Sequence, residues 1–330
     1  MAVRLRRLGL IGILALGTLG APLSAEAQPA GKIYRIGMLE MASPALNAAN
    51  LDAFRQGLRE LGYVEGQNLA IEYRSADGRF ERLPALATEL VRLKVDLIVT
   101  RATSGALAAK AATKTTPIVM AGAGDPVGAG VVAGLASPGA NVTGLSAVIP
   151  ELTGKRVELL RELVPRATRI AAMLDMRTAV SQPVWNQIET AARALGMQPQ
   201  LVDVRKAEDL GRAFETAVQQ RAEALFVAEI IMQANRRPIV DLAAKHRLPT
   251  IYASRESVDV GGLMSYGPNI PDLYRRAASF ADKIFKGARP GDLPVEQPTK
   301  FELAINLRTA RALGLAVPQS LMLRADHVIQ

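Results

Sequence analysis

Polar side chains that could bind a small ligand stand where apolar runs of this sequence end. Thr103 and Ser104 come just after the apolar run 96–100 and just before a predicted helix. Their hydroxyls, with the free N–H groups of a helix start, are suited to a carboxylate, and the alternative is an ordinary helix cap. Ser43 follows the first apolar run in the same way. We predict that these three residues hold an anionic group of a ligand.

Three acidic residues follow other apolar runs and are candidates for holding a ligand amine. They are Asp125, Glu229 and Glu256. Because Asp125 precedes Pro126, this pair is also typical of a helix start, with the aspartate as cap and the proline as first helical residue. The two glutamates have simple exposure to solvent as their alternative. An enzyme would need such groups to converge, and Asp125 with Glu229 is the pair to consider.

Larger side chains near these acids are candidates for covering or orienting the same ligand. Tyr266 ends an apolar run, and we predict that its ring covers an apolar part of the ligand, with a core tyrosine as the alternative. Arg255 is suited to a two-point contact with a carboxylate, or to a salt bridge with Glu256 or Asp259. Trp185, the single tryptophan, is expected in the first turn of a helix, where packing is the usual role.

Residues for covalent or metal chemistry are scarce. The chain has no cysteine, two histidines far apart (His246 and His327) and no Gly-x-Ser-x-Gly motif. Glycines at 122, 124 and 128 follow the fourth apolar run with a spacing that does not fit a dinucleotide-binding loop. We expect no catalytic residue, no metal site and no cofactor, and therefore a binding protein rather than an enzyme.

The elements that must position these residues alternate between short apolar runs and amphipathic stretches. Apolar runs predicted as buried strands lie at 34–39, 68–73, 96–100 and 117–120. The same order returns at 169–174, 200–204, 224–227 and 249–252, followed by a fifth run at 263–266. Predicted helices lie at 50–61, 83–93, 105–112, 185–195, 272–285 and 307–313. Apolar strands separated by helices indicate parallel sheets covered on both faces.

The repeated order predicts an α/β fold of two Rossmann-like lobes, each with a parallel sheet. The turn-rich segment 137–145 is interpreted as the first connection between them. A helix and a strand near the end of the chain belong to neither copy of the repeated order, and they indicate further crossings between the lobes. Such crossings form a hinge that can change its backbone angles without unfolding either lobe. We predict lobe 1 at 32–146 plus 266–292, and lobe 2 at 147–265 plus 293–330.

Residues 1–27 have the composition of an export signal peptide. Three arginines precede an apolar run at 8–19, and small residues at 25 and 27 suit a signal peptidase. That run is shorter than the roughly 20 residues of a membrane span, and no later run reaches that length. We expect an exported chain that is cleaved near Ala27, located in the periplasm and without a membrane span in its mature form. The absence of cysteine rules out a lipid attached at the cleavage point.

Long motifs along the whole chain carry a family resemblance. They are Pro117, Gly-Asp-Pro-Val at 124–127, Pro-Gly-Ala-Asn-Val-Thr-Gly at 138–144, Gly-Gly-Leu-Met-Ser-Tyr-Gly at 261–267, Leu-Pro-Val-Glu-Gln-Pro at 293–298 and residues 301–306. From about residue 34 to 329 the chain resembles the substrate-binding proteins of ABC transporters related to the tryptophan/tyrosine-binding type. The resemblance implies a type I periplasmic-binding fold with three crossings, a solute trapped when the cleft closes, and an ABC permease and ATPase as partners.

The resemblance does not identify the solute. Some relatives bind aromatic amino acids, but residues 228–232 and the loop 40–47 depart from the relatives where a ligand would bind. We predict a monomeric periplasmic component of an ABC importer that captures a small organic solute, an amino acid or another carboxylate, aromatic ones included. The formal net charge is +9, but basic residues do not interleave with aromatic ones, so nucleic acid is not an expected partner.

Two alternatives come from other classes of protein. One is a secreted enzyme of unknown reaction that uses carboxylates of the cleft. The other is a transcription regulator with the same core, whose N-terminal helix-turn-helix would stand where the export leader is.

Overall fold

The computed structural model describes the chain from Lys32 to Gln330, except for the side chains of residues 229–232. The predicted leader 1–27 lies outside the described residues, so its cleavage near Ala27 stays a prediction. The side chain of Glu229, one of the three candidate acids, also lies outside them.

The strands form two sheets. The first contains β1 (Tyr34–Glu40), β2 (Leu69–Ser75), β3 (Leu97–Thr100), β4 (Ile118–Ala123) and β5 (Val142–Ser146). The second contains β6 (Arg169–Leu174), β7 (Gln198–Asp203), β8 (Ala224–Val227), β9 (Thr250–Tyr252), β10 (Met264–Pro268), β11 (Phe301–Asn306) and β12 (His327–Ile329). Their orders are β2-β1-β3-β4-β5 and β12-β11-β10-β9-β8-β6-β7. Neighbours pair in parallel except β10 and β11, which are antiparallel. The predicted α/β class with two mostly parallel sheets is confirmed.

Helices connect the strands and cover both faces of each sheet. They are α1 (Ala48–Glu60), α2 (Leu83–Arg92), α3 (Ala102–Ala112), α4 (Ile149–Leu163), α5 (Ser181–Ala194), α6 (Leu210–Gln219), α7 (Glu229–Lys245), α8 (Arg255–Asp259), α9 (Ile270–Phe285), α10 (Leu307–Leu313) and α11 (Gln319–Arg324). On the first sheet, α1 and α9 pack on one face and α2 and α3 on the other. On the second, α4, α5, α10 and α11 pack on one face and α6 and α7 on the other.

Burial on both faces explains why the strands are continuous apolar runs. In β1, Ile36 and Met38 belong to the core under α1 and α9, whereas Leu39 belongs to the core under α2 and α3. Successive side chains of a strand point to opposite faces. A strand between two helical layers must therefore be apolar at nearly every position.

The chain crosses between the two sheets three times. It passes from β5 into α4, from β10 into α9, and from the segment around Glu296 into β11. Glu296 bridges to Leu145 of the first sheet, whereas Tyr266 pairs with Leu303 in the second. The division into two lobes, with the boundaries predicted at 146, 266 and 292, stays a prediction.

The segment 137–145 is more than the connection that the sequence predicted, because it contains most of β5. Gly144 allows this strand to lie close to β4: its φ is +125°, and a Cβ there would clash with the backbone of Met120. Because residues 138–141 are typical of turns, the sequence pattern does not predict the short strand that follows them.

Several helix starts also differ from expectation. Asp125 and Pro126 begin no helix: residues 126–130 form turns, and Asp125 Oδ1 accepts the N–H of Gly128 at 2.8 Å. α3 begins at Ala102 and α5 at Ser181, both earlier than predicted. Small polar residues at these starts weaken the helical pattern that the sequence shows.

Candidate functional site

A cavity lies between the two sheets, at the carboxyl ends of their strands. It holds about 720 Å³ of space not filled by protein atoms, part of it open to solvent. The first sheet contributes residues 101–104, Gly122 and Gly124, and the second contributes Leu174 and Phe226. Ligands bind at this end of the strands in open α/β sheets, because the helices that follow present free N–H groups there.

The connection from β3 to α3 builds the wall on the first sheet's side. Arg101 is 4% exposed, and Ala102 adopts a φ of +66°, a left-handed conformation that residues with a Cβ rarely take. Thr103 and Ser104 consequently lie in the first turn of α3, and both line the cavity. Thr103 Oγ1 accepts the N–H of Gly124 at 3.1 Å, which ties the start of α3 to the end of β4. Backbone strain of this kind clusters at binding sites.

A second buried arginine, Arg156 of α4, lines the wall on the side of the second sheet. It is 1% exposed, and its Nε–H donates to the carbonyl oxygen of Tyr266 at 2.7 Å. Gly267 lies close to the backbone of Ala253 and to this guanidinium, since a Cβ there would lie 1.9 Å from the carbonyl oxygen of Ala253 and 3.3 Å from a terminal nitrogen of Arg156. A guanidinium held in one plane is suited to two-point contact with a carboxylate.

The remaining wall is mainly apolar. Neutral polar groups come from Ser181 at the start of α5 and from Gln233 of α7. The large apolar side chains are Ile149, Leu174, Val180, Val184, Phe226 and Ile270. A wall of this composition surrounds the apolar body of a ligand, and its few polar groups fix the orientation.

Glu256 links the two sides of the molecule beside the cavity. Its Oε1 accepts Nδ2–H of Asn50 at 2.7 Å, and its Oε2 lies 3.6 Å from Arg101 and 2.5 Å from Arg236. Asn50 and Arg101 belong to the first sheet's side, whereas Glu256 and Arg236 lie on α8 and α7. Burial by itself would raise the pKa of Glu256, but Arg101, Arg236 and Asn50 outweigh it and lower that pKa below its usual value. The carboxylate is therefore charged at neutral pH.

Glu40, the last residue of β1, is a second buried acid near Arg101. It is 2% exposed, and its Oε1 accepts the hydroxyl hydrogen of Tyr274 at 2.7 Å. Burial raises the pKa of Glu40 to about 7, because the hydrogen bond from Tyr274 and the attraction of Arg101 offset only part of this effect. Glu40 thus exchanges a proton near neutral pH, whereas Glu256 does not.

Two of the seven ligand-binding candidates, Thr103 and Ser104, are among the described residues that line this cavity. Glu256 makes the contacts given above, and Asp125 accepts the N–H of Gly128 within its own turn. The ligand contacts predicted for these two acids stay predictions. The side chain of Glu229 is outside the described residues, so its contact with a ligand stays a prediction.

The other candidates lie around the cavity rather than in its wall. Ser43 Oγ accepts the N–H of Leu46 at 3.4 Å. The ring of Tyr266 lies 6.2 Å from that of Phe301, between centroids. Arg255 pairs with Asp259, the salt bridge that the sequence offered as an alternative. Trp185, in the second turn of α5 rather than the first, packs against the core of the second sheet. The ligand contacts predicted for Ser43 and Tyr266 stay predictions.

The two arginines of the wall were not selected from the sequence. Arg101 directly precedes the residues chosen after β3, so the same strand-end argument applied to it. Arg156 carries a different signal: it stands four residues after Leu152 and four before Leu160, on the apolar face of its helix. A charged residue at a position that a helix buries indicates a partner brought there by the fold.

Two further properties concern the described residues 32–330. None of their helices combines the length and the apolar composition needed to cross a bilayer. Within the same part of the chain, no three His, Asp or Glu side chains are grouped so that they could hold a metal ion.

Comparison with known proteins gives consistent matches over most of the chain. Residues 36–329 match the family described as ABC transporter substrate binding protein. A tyrosine-binding protein of Clostridioides difficile (strain R20291) is 28% identical over 286 residues, which cover 86% of this chain and 82% of that protein.

Solved structures are similar as well. An ABC domain from Streptococcus pneumoniae, crystallised in complex with L-Trp, has a TM-score of 0.82 and 28% identity, covering 90% of this chain and 100% of that one. A leucine-binding protein of Thermotoga maritima has a TM-score of 0.54 at 16% identity, covering 79% of this chain and 78% of that one, a likeness of fold alone. The type I periplasmic-binding fold implied by the sequence is thereby confirmed.

Proposed function

This chain belongs to the family of ABC transporter substrate-binding proteins, and we propose that it captures a small organic carboxylate between its two sheets and presents it to an importer. The observation that carries this proposal is the cavity, whose wall joins residues of both sheets and includes two buried arginines. A ligand in that position contacts both sides at once.

Capture follows from contacts made with both sides together. A carboxylate held by Thr103 and Ser104 on one side and by Arg156 on the other favours the closed arrangement. The three crossings supply the hinge at which the two sides separate when the ligand leaves. A ligand shifts this equilibrium only by the difference between its affinities for the closed and open arrangements.

The ligands named for relatives suggest which carboxylates to test first. The C. difficile relative is named for tyrosine, and the S. pneumoniae structure contains L-Trp. Both ligands combine a carboxylate with an aromatic ring. The cavity offers hydroxyls and guanidinium groups for the first, and Phe226 with aliphatic side chains for the second. Aromatic carboxylates are therefore the class that we propose.

The partners that we propose are an ABC permease and its ATPase in the inner membrane, with the chain acting as a periplasmic monomer. The family supports the transporter, and the leader-like composition of residues 1–27 supports export. The proposed role is binding and delivery without chemical conversion of the solute.

Thermal unfolding of the purified mature chain tests this function. The panel contains amino acids, aromatic acids and sugars. A compound that binds the folded state alone raises the melting temperature by mass action. We expect a rise with at least one carboxylate, which chromatography then recovers unchanged. A panel without any shift, or conversion of the bound compound, contradicts the proposal.

A further inference from the structure

We propose that the segment 76–82, which follows β2, docks on the second sheet's side of the cavity and determines how slowly a captured ligand is released. The inference rests on the proposed function, because it takes the cavity as the binding site. It assigns a positioning role to Gly78 and Phe80, which are not among the described residues that line the cavity.

The segment is held in a defined conformation by the end of β1. The N–H groups of Ala76 and Gly78 donate to the carbonyl oxygens of Glu40 and Met41, both at 2.8 Å. Asp77 and Gly78 have left-handed backbone angles, with φ of +51° and +79°. Aspartate and glycine adopt this conformation more readily than most residues. The segment can therefore present its side chains to the second sheet in a fixed way.

Gly78 makes the first contact with the second side, against α7. A Cβ at this position would lie 3.0 Å from Cβ of Ala234, which is closer than the usual separation of two packed carbon atoms. Only a residue without a side chain fits here without displacing its neighbour. Ala234 directly follows Gln233, a residue of the cavity wall. The contact therefore joins the two sides next to the cavity.

Phe80 makes the second contact, with Arg177 of the turn after β6. The guanidinium carbon of Arg177 lies 5.8 Å from the centroid of the Phe80 ring, within the range of a cation–π interaction. Asp175 fixes this guanidinium, since its carboxylate accepts from Nε and a terminal nitrogen at 2.9 and 2.6 Å. Glu81, next to Phe80, attracts the same guanidinium. The ring also packs against the core of the first sheet, so it connects that core with the second side.

Separation of the two sides breaks both contacts. They stabilise the closed arrangement without touching the ligand, so their effect is the same for every compound that the cavity accepts. Packing and cation–π contacts act over short distances and are lost early in opening. Changes in such contacts act mainly on the dissociation rate. The cavity wall thus selects the ligand, and the segment 76–82 determines how long it stays bound.

A pair of introduced cysteines tests the contact at Gly78 without any ligand. The natural chain has no cysteine, so Gly78→Cys with Ala234→Cys supplies the only two thiols, at a Cβ separation that a small shift makes suitable for a disulfide. We expect mild oxidation to join them in the unliganded mature chain, as measured by mass spectrometry.

The matched control is Gly66→Cys with Ala234→Cys. Gly66 has a similar φ of +84°, so cysteine causes similar strain there, but it lies at the other end of β2 and a new Cβ meets no atom within 4 Å. We expect both thiols of the control to stay free. Free thiols in the Gly78 pair as well overturn the inference and leave the proposed function intact.

Release of a bound ligand tests the consequence of the contact. The probes are radiolabelled L-tryptophan and indole-3-propanoate, two aromatic carboxylates, displaced from the loaded protein by excess unlabelled compound. Oxidation of the Gly78 and Ala234 cysteine pair after loading should slow release at least tenfold, and dithiothreitol should restore the original rate. A rate that oxidation does not change overturns the role in release.

Phe80→Leu tests the second contact in a chain without cysteine. Leucine keeps an apolar side chain on the core but removes the aromatic face, so we expect severalfold faster release with little change in the association rate and in the circular dichroism spectrum. The control is Phe285→Leu, whose ring stacks on Tyr34 at 4.2 Å within the first side, and it should release both probes at the natural rate. Release from Phe80→Leu at the natural rate overturns the assignment of Phe80.

Discussion

Two interacting acids beside Arg101 have pKa values shifted in opposite directions. Glu256 has a lowered pKa, so it stabilises the fold above its ordinary pKa and loses this contribution as the pH falls. Glu40 has a raised pKa, so its contribution is present below its ordinary pKa and is lost as the pH rises towards 7. The difference follows from the surroundings, since two arginines face Glu256, whereas Glu40 is fully buried and accepts a hydrogen bond from Tyr274.

Replacing Glu40 by glutamine should remove the pH dependence that this residue causes. Between pH 5 and 8 the natural protein should lose on the order of 2–3 kcal/mol of unfolding free energy relative to Glu40→Gln, because its folded state keeps the proton up to a pKa of about 7. Urea unfolding at both pH values measures the difference. A gap between the two proteins that stays constant with pH contradicts this explanation.

The left-handed backbone at Ala102 predicts an unusual response to glycine. Ala102→Gly should raise the unfolding free energy by about 1 kcal/mol, because glycine adopts a φ of +66° without strain. The same change should weaken ligand binding several-fold, since Arg101 and Thr103 are then held less firmly. Ala108→Gly in the same helix is the control and should destabilise by about 1 kcal/mol. Equal destabilisation by both variants would show that Ala102 is not strained.

Part of the site was accessible from the sequence for a simple physical reason. Residues after a parallel strand meet those after its neighbours at one edge of the sheet. This rule selected Thr103 and Ser104, which line the cavity, and their contact with a ligand stays a prediction. Arg156 comes from the middle of α4, far from any strand end, and only the packing of α4 against β10 brings it there. The helix start considered for Asp125 as an alternative is absent, because a turn follows β4, and its contact with a ligand stays a prediction.

Among the helices, α1 and α9 pack closely against each other. α9 follows β10 of the second sheet, and its packing against α1 places it on the first sheet. Gly57 of α1 is the point of contact, where a Cβ would lie 2.5 Å from the carbonyl oxygen of Arg275 and 2.9 Å from Cβ of Ala278. The exposed ion pair between Arg275 and Glu60 lies beside it. A residue without a side chain at this position lets the helices approach so closely.

Gly57→Ala should therefore destabilise the protein by about 1–3 kcal/mol, the range for overpacking a core, although alanine is the better helix former. The matched control is Gly154→Ala in α4, where a new Cβ meets no atom within 4 Å. We expect the control to stabilise by about 0.5–1 kcal/mol. Chemical unfolding compares the two variants, and equal effects would contradict the close contact between α1 and α9.

The elements were predicted best where burial left a long apolar run. β1, β3 and β8 are apolar at nearly every position because helices cover both faces of their sheets, and the sequence placed all three. β5 was missed because it is short, contains a glycine and follows turn residues. Its strand character depends on pairing with β4, an interaction that no local pattern shows.

Across the whole molecule, Glu256 joins residues on both sides of the cavity, so the proposed closure predicts that its contacts favour the closed arrangement without ligand. Glu256→Gln removes the charge that Arg101 and Arg236 share, so we expect a larger radius of gyration in the unliganded protein and weaker ligand binding. Glu189→Gln is the control, because its pair with Arg193 is exposed and should change stability by less than about 1 kcal/mol. X-ray scattering measures the radius of gyration of both unliganded variants. A radius of gyration that is unchanged in Glu256→Gln contradicts a role of this residue in closure.

Closure around an organic acid is measured most directly by small-angle X-ray scattering with and without saturating indole-3-propanoate. We expect the radius of gyration and the maximum dimension to decrease when the acid is added, as the two sheets approach around it. Calorimetry on the same sample establishes that the acid is bound. A bound acid that leaves both dimensions unchanged would contradict capture by closure.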